Sequence, residues 1–237
     1  MTRRTPLHAD WFDSGVAPRD AALWRGVEAQ HLVATMKLVD TAPEQHLLED
    51  LLEASKPALP AQSAGRHYLI ATPFRYRPQH ESRFRPAGSP GLWYGAETLE
   101  VACAEVAYWK WRFLRDSDAL RHQALHTQHT FFEARISGAC VDLTAPPWVA
   151  SARAWTHPTR YADCQALAQA ARERDVAWIR YSSARSKPGV CGVALTAQAL
   201  ALEPGFAQQT WNCKTTLANV YLRHAQQSFS FDAARWA

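Results

Sequence analysis

Short apolar runs alternating with stretches of helical periodicity constrain this chain more than any other feature of its sequence. Tyr68–Thr72, Thr130–Ile136, Val176–Tyr181 and Val190–Leu195 are each bounded by turn-forming or polar residues, so they read as strands. Leu92–Tyr94 reads as a further short strand or strand end. Between these runs, Thr98 is placed to cap a helix from Glu100 to about Leu114, and Tyr161–Arg174 is an alanine-rich helix. Ahead of them the pattern is helical. Leu23, Val27, Leu32, Met36 and Val39 recur at roughly helical spacing across Asp20–Val39. A second helix opens with Pro43 in its first turn and carries Leu47, Leu48, Leu51 and Leu52 on one stripe. It stops at Pro57 and Pro60, which cannot continue it. The stretch Ala58–Gly65 then reads as a linker. Strands and helices are mixed, without an internal repeat, which gives an α+β or α/β class with a helical N-terminal part.

Composition excludes several functions. With 237 residues, 47% hydrophobic and 20% charged, the chain has the profile of an ordinary globular core. The net charge of +4 is mild, and no run of lysine or arginine appears, so direct nucleic-acid binding is not expected. An anionic small molecule or an acidic protein remains compatible. The five cysteines, Cys103, Cys140, Cys164, Cys191 and Cys213, form no C-x-x-C pair and signal neither zinc nor a disulfide framework. No apolar stretch approaches the ~20 residues of a membrane span, and no signal peptide is evident, so a cytoplasmic location is expected. Walker and G-x-G-x-x-G loops are absent, which disfavours P-loop and Rossmann enzymes. His122, His126 and His129 have i, i+4, i+7 spacing, but no carboxylate is placed as in H-E-x-x-H. They read as a solvated or structural helix stripe, and no metal site is expected.

Glu105 resists a bland explanation. On a helix its neighbours one turn away are Val101, Ala102, Tyr108 and Trp109, and a carboxylate on such a face is costly unless it is paired or working. A structural ion pair and a functional role stand equal on this ground. The preceding loop supplies partners: Thr72-Pro-Phe-Arg-Tyr-Arg77, then Ser82-Arg-Phe-Arg-Pro86, then Gly88-Ser-Pro-Gly91. Arginines that alternate with aromatic rings suit bidentate binding of phosphate oxygens, although a solvated basic loop is the commoner case. Tyr181-Ser-Ser-Ala-Arg185 closes a strand before the turn Lys187-Pro-Gly189; it suits either a site or ordinary turn chemistry. No Gly-x-Ser-x-Gly elbow surrounds either serine.

In order, Phe74-Arg75-Tyr76, Ser82-Arg83-Phe84-Arg85-Pro86, Gly88-Ser-Pro-Gly-Leu-Trp-Tyr94, Ala102-Cys-Ala-Glu105 and Ser183-Ala-Arg185 resemble the RES-domain family. The resemblance spans about Tyr68 to Leu195. It implies a RES-like catalytic core at 66–237 behind a helical extension at 1–65. The fold implied is similar to that of ADP-ribosyltransferases, a split mixed sheet flanked by helices. The implied activity is that of a bacterial toxin which cleaves the nicotinamide–ribose bond of NAD+, with water or inorganic phosphate as acceptor. Some members transfer ADP-ribose to a protein instead, and a non-catalytic binding module is a reading from another class.

The resemblance also assigns roles. Glu105 stabilises the positive charge that develops on the ribose, and Arg75 and Arg83 hold the pyrophosphate or an incoming phosphate. Tyr94 and Tyr76 stack on or orient nicotinamide. Ser183 binds substrate or fixes Glu105, and no cofactor or metal is required because nicotinamide departs neutral. Arg83 and Arg85 compete for one family position, as do Ser182 and Ser183; Trp93 adjoins Tyr94. The implied partner is an Xre-like antitoxin, and homo-oligomerisation is left open.

Overall fold

The computed structural model describes residues 10–29 and 38–236. Its framework is the long strand β3 (Leu125–Asp142), along which β1 (Val16–Glu28) runs antiparallel from Val16 opposite Val141 to Glu28 opposite His129. The helix expected over Asp20–Val39 is therefore corrected for residues 20–28; its remainder to residue 37 lies almost wholly outside the described residues. Pro18 and Gly26 are poor helix interior residues, and a ladder along thirteen residues of β1 satisfies the backbone equally well. Leu23 is completely buried in that strand. Helices are nonetheless present in the N-terminal region, at α1 (Asp10–Gly15) and α2 (Ala42–Ala54). Thr41 and Glu44 form a reciprocal capping box at the start of α2.

The mixed sheet contains nine strands among the described residues. Its path runs β1, β2 (Trp93–Ala96), β5 (Val190–Ala194), β4 (Trp178–Ser182), β3, β7 (Gln208–Thr215), β8 (Asn219–His224) and β9 (Gln227–Asp232). The short β6 (Leu200–Ala201) also pairs with β3. Only β3 and β4 are parallel. Because β1 bonds both β2 and β3, the pairing circuit of β1, β2, β5, β4 and β3 returns on itself. Gly95 and Gly192 face each other across β2 and β5, and a Cβ on either would strike Leu23. That glycine pair makes room for the leucine.

Two helices flank the sheet and position the site. Thr98 caps α4 (Leu99–Arg115), whose Ala102, Cys103, Ala107, Trp111 and Leu114 are buried, while α5 (Ala162–Arg172) buries Cys164, Leu167, Ala168 and Ala171. Apolar side chains form two clusters. One gathers these helices with Phe131, Ile179 and Trp211. The other gathers Leu23, Trp93, Ile136 and Trp178 with Ile70 and Phe74. The latter two belong to α3 (Tyr68–Arg75), which replaces the strand expected at Tyr68–Thr72. Its buried residues Leu69, Ile70, Ala71 and Phe74 fit one helix face, and a five-residue apolar run does not separate the two conformations. The expected helical histidine stripe is also corrected. His122 lies in a turn, whereas His126 and His129 lie on β3, exposed and buried respectively. No helix among the described residues is long and apolar enough to cross a membrane.

If β1 belongs to the core, Leu23→Ala loses about 2–5 kcal/mol of stability in urea denaturation. A loss below about 0.5 kcal/mol, as for an exposed helix position, contradicts the pairing.

Candidate active site

Strand β1, the β2 end, α4, the beginning of β3 and the turn at Ser82–Arg85 surround a cavity of about 750 Å³. Glu105 lines it from α4, half-buried. Behind Glu105 lies Ser183, fully buried, whose hydroxyl donates to Glu105 Oε1 at 2.6 Å. The same Ser183 oxygen accepts the amides of Arg185 and Ser186, both at 3.0 Å. The hydroxyl proton is thereby directed at the carboxylate, and the two backbone amides and Glu105 together fix the Ser183 side chain. The Cys191 thiol also faces Glu105 Oε1 at 3.7 Å, and burial pushes it up, keeping it protonated.

Arg83 enters the cavity from a tight turn in which Ser82 and Arg85 exchange backbone hydrogen bonds. Its Nη1 donates to the carbonyls of Trp155 and His157 at 2.8 and 3.0 Å, and its guanidinium lies 5.2 Å from the Tyr161 ring centre. Tyr94 braces that turn: its hydroxyl bonds Ser82 Oγ at 2.8 Å and accepts from the Phe84 amide at 3.3 Å. Burial raises the Tyr94 pKa, so it stays a neutral phenol. Arg185 donates to the Pro158 carbonyl and the Tyr161 hydroxyl and packs 3.5 Å from the Tyr108 ring centre.

Other sequence-predicted residues go elsewhere. Arg75 ends α3, ion-paired with Glu53 at 2.9 Å and donating to the Pro57 carbonyl; it ties α3 to α2 and does not line the cavity. Tyr76 is exposed and also does not line it. Arg85 turns away from the cavity to donate to the carbonyls of Pro78, Pro86 and His80, holding the loop together. Between the competing arginines, the cavity holds Arg83. Between the competing serines, Ser183 reaches Glu105.

Arg25 is the residue that sequence reasoning missed. It lines the cavity from β1, donates to the Tyr94 carbonyl at 2.9 Å and lies 5.5 Å from the Trp93 ring centre. Its buried Nε has no hydrogen-bond partner among the described residues. Burial lowers its pKa to about 10, which still leaves it cationic at neutral pH. The helical reading of Asp20–Val39 hid it; the Leu23-Trp24-Arg25 segment read as a strand would have turned Arg25 and Leu23 to one side.

None of Arg25, Arg83 and Arg185 forms an ion pair among the described residues, although all three are largely buried. Buried guanidinium groups held by carbonyls, a hydroxyl and rings have the chemistry to receive an anion. A second cleft of about 870 Å³ is larger; it is lined by Arg172 and Asp175, by Gln62, Gln165, Gln169 and Gln198, and by apolar and hydroxyl groups. It contains none of the predicted site residues.

Residues 57–215 match the RES domain. The chain belongs to the RES family. The RES match begins after β1, so Arg25 lies outside it. No curated protein matches the sequence. Among solved structures, a chain from the crystal structure of the M. tuberculosis MbcT–MbcA toxin–antitoxin complex is similar, with 16% identity and a TM-score of 0.45. The alignment covers 96% of this chain and 93% of that one.

His129, buried at the β3 end of the cavity, supplies a pH signature. Burial, and then the charge of Lys110, lowers it to about 4, against 6.5 for a free imidazole. As pH falls below 6.5 the unfolded chain binds a proton that the folded chain refuses until about pH 4, so stability drops across that window. The His129 contribution to that drop is about 3 kcal/mol. Denaturant titrations at pH 7 and pH 4.5 should show a smaller fall in His129→Asn than in the parent. Equal falls contradict the assignment.

Proposed function

We propose that this chain degrades NAD+ by cleaving the nicotinamide–ribose bond, acting as the toxin of a toxin–antitoxin pair. The observation that carries the reading is Glu105, oriented by Ser183 in a cavity whose arginines lack carboxylate partners. Membership of the RES family supplies the substrate class. A dinucleotide brings two negative phosphates to Arg25 and Arg83, and a ribose whose departing base leaves positive charge behind. In this reading the C–N bond breaks with its electron pair leaving on neutral nicotinamide. The Glu105 carboxylate stabilises the cationic ribose, and an acceptor oxygen closes on the same carbon. Water gives ADP-ribose, and inorganic phosphate gives ADP-ribose-1″-phosphate. Tyr94 holds the Arg83 turn and lines the wall against which the nicotinamide rests. The chemistry needs no cofactor beyond the substrate.

A catalyst that empties the NAD+ pool must be restrained in the cell that makes it. We therefore place an Xre-like antitoxin among its partners, on the ground of family membership.

Purified protein incubated with NAD+, with and without phosphate, tests the reading by mass spectrometry of the products. A mass shift on a protein would instead indicate ADP-ribosyl transfer, and intact NAD+ under both conditions would refute cleavage. Glu105→Gln lowers the rate at least about a hundredfold with an unchanged circular dichroism spectrum. The arginines separate structure from substrate binding: Arg25→Gln lowers kcat/KM about tenfold or more, whereas Arg75→Ala stays within about twofold. The reverse order of the two variants would return Arg75 to the site.

A further inference from the structure

The half of the cavity away from Ser183 is aromatic and open. Glu105, Trp109 and Phe113 succeed one another at i, i+4 and i+8 on α4, and all three line the cavity. At 1.5 Å rise per residue, the rings stand about 6 and 12 Å along the helix from the carboxylate. Trp109 is 44% exposed and Phe113 58%, although large rings at such positions carry a solvation cost. Trp109 is nevertheless held in place: Tyr108 meets it edge-on with ring centres 5.2 Å apart, and the Arg112 guanidinium lies 5.6 Å from its centre. His129 also lines the cavity, buried, with its Nε2 bonded to Thr127 Oγ1 at 3.0 Å. Its Nδ1 is buried without a partner among the described residues.

We propose that Trp109 and Phe113 form a subsite for a purine base. The inference rests on the dinucleotide reading above and deepens it. With the reacting ribose at Glu105 and the phosphates at the arginines, the second nucleoside of the substrate lies farther along α4, at the rim. A purine has a flat apolar face to stack on the two exposed rings. The subsite makes the chain select a dinucleotide over a mononucleotide, because only the former reaches both ends of the helix stripe.

Calorimetric titration with ADP-ribose, and with inorganic pyrophosphate as a probe lacking the base, tests this. Trp109→Leu and Phe113→Leu each weaken ADP-ribose about tenfold, leave pyrophosphate unchanged, and Trp109→Phe restores most of the loss. Unchanged ADP-ribose binding in both leucine variants overturns the proposal and leaves the rim to a macromolecular partner. Parallel weakening of both probes, or a wild-type chain that does not bind ADP-ribose, overturns it as well. The cleavage reading fails separately. A chain that binds ADP-ribose through Trp109 yet leaves NAD+ intact retains the subsite and loses the reaction.

Discussion

The antiparallel ladder between β1 and β3 is the interaction on which the rest of the structure depends. It fixes the N-terminal segment to the longest strand, and β1 then bonds β2 through Trp24 opposite Ala96. That second contact closes the strand circuit and brings β2 beside β1, so that Arg25 donates to the Tyr94 carbonyl. On the same strand Leu23 fills the space left by Gly95 and Gly192. One strand therefore supplies a core plug and a cavity cation. Residues 16–28 are not a separate layer, because β1 is inside the sheet that carries the site.

Much of the site was legible because its local chemistry broke local rules. Glu105 on an apolar helix face departed from what folding alone requires, the Ser-x-Arg and the arginine–aromatic turn gained weight from the family resemblance, and Glu105, Ser183, Arg83 and Tyr94 do converge. Helix α4 was legible from its cap and its stripe. What failed were segments whose conformation is decided by distant partners. Val16–Glu28 has apolar residues that fit a helix, but it pairs with a strand more than a hundred residues away. Such non-local pairing leaves no periodic trace. Tyr68–Thr72 failed for a different reason: so short an apolar run suits either conformation. The three C-terminal strands β7, β8 and β9 went unread, although Trp211, Cys213 and Thr215 on β7 and Val220 and Leu222 on β8 alternate with outward-facing neighbours. Arg75 followed from matching an arginine to a family position without knowing which arginine the sheet brings in.

The chain uses its arginines in two electrostatic ways, and the contrast separates support from site. Arg180 donates to Glu97 at 2.6 Å and pairs with Asp142 at 3.2 Å, while Arg19 reaches Asp142 at 3.1 Å. These charges neutralise one another and join β1, β3 and β4. Arg75 with Glu53 is of the same kind. Around Glu105 the bookkeeping differs, since Arg25, Arg83 and Arg185 are solvated by carbonyls, hydroxyls and aromatic faces in place of carboxylates. A carbonyl or a ring face offsets only part of the cost of burying a charge. The residual cost is a standing preference for an anion, and it is largest where donors stay unused, as at Arg25 Nε. Placing carboxylates there would stabilise the empty fold but would also occupy the donors that the phosphates require. Of the two carboxylates that line the cavity, Glu28 is ion-paired with Lys110, whereas Glu105 is hydrogen-bonded by Ser183 and forms no ion pair with any of the three arginines. The cavity thus sets arginines without carboxylate partners beside a carboxylate without an ion pair, which suits the proposed substrate with its anionic middle and its ribose that becomes cationic.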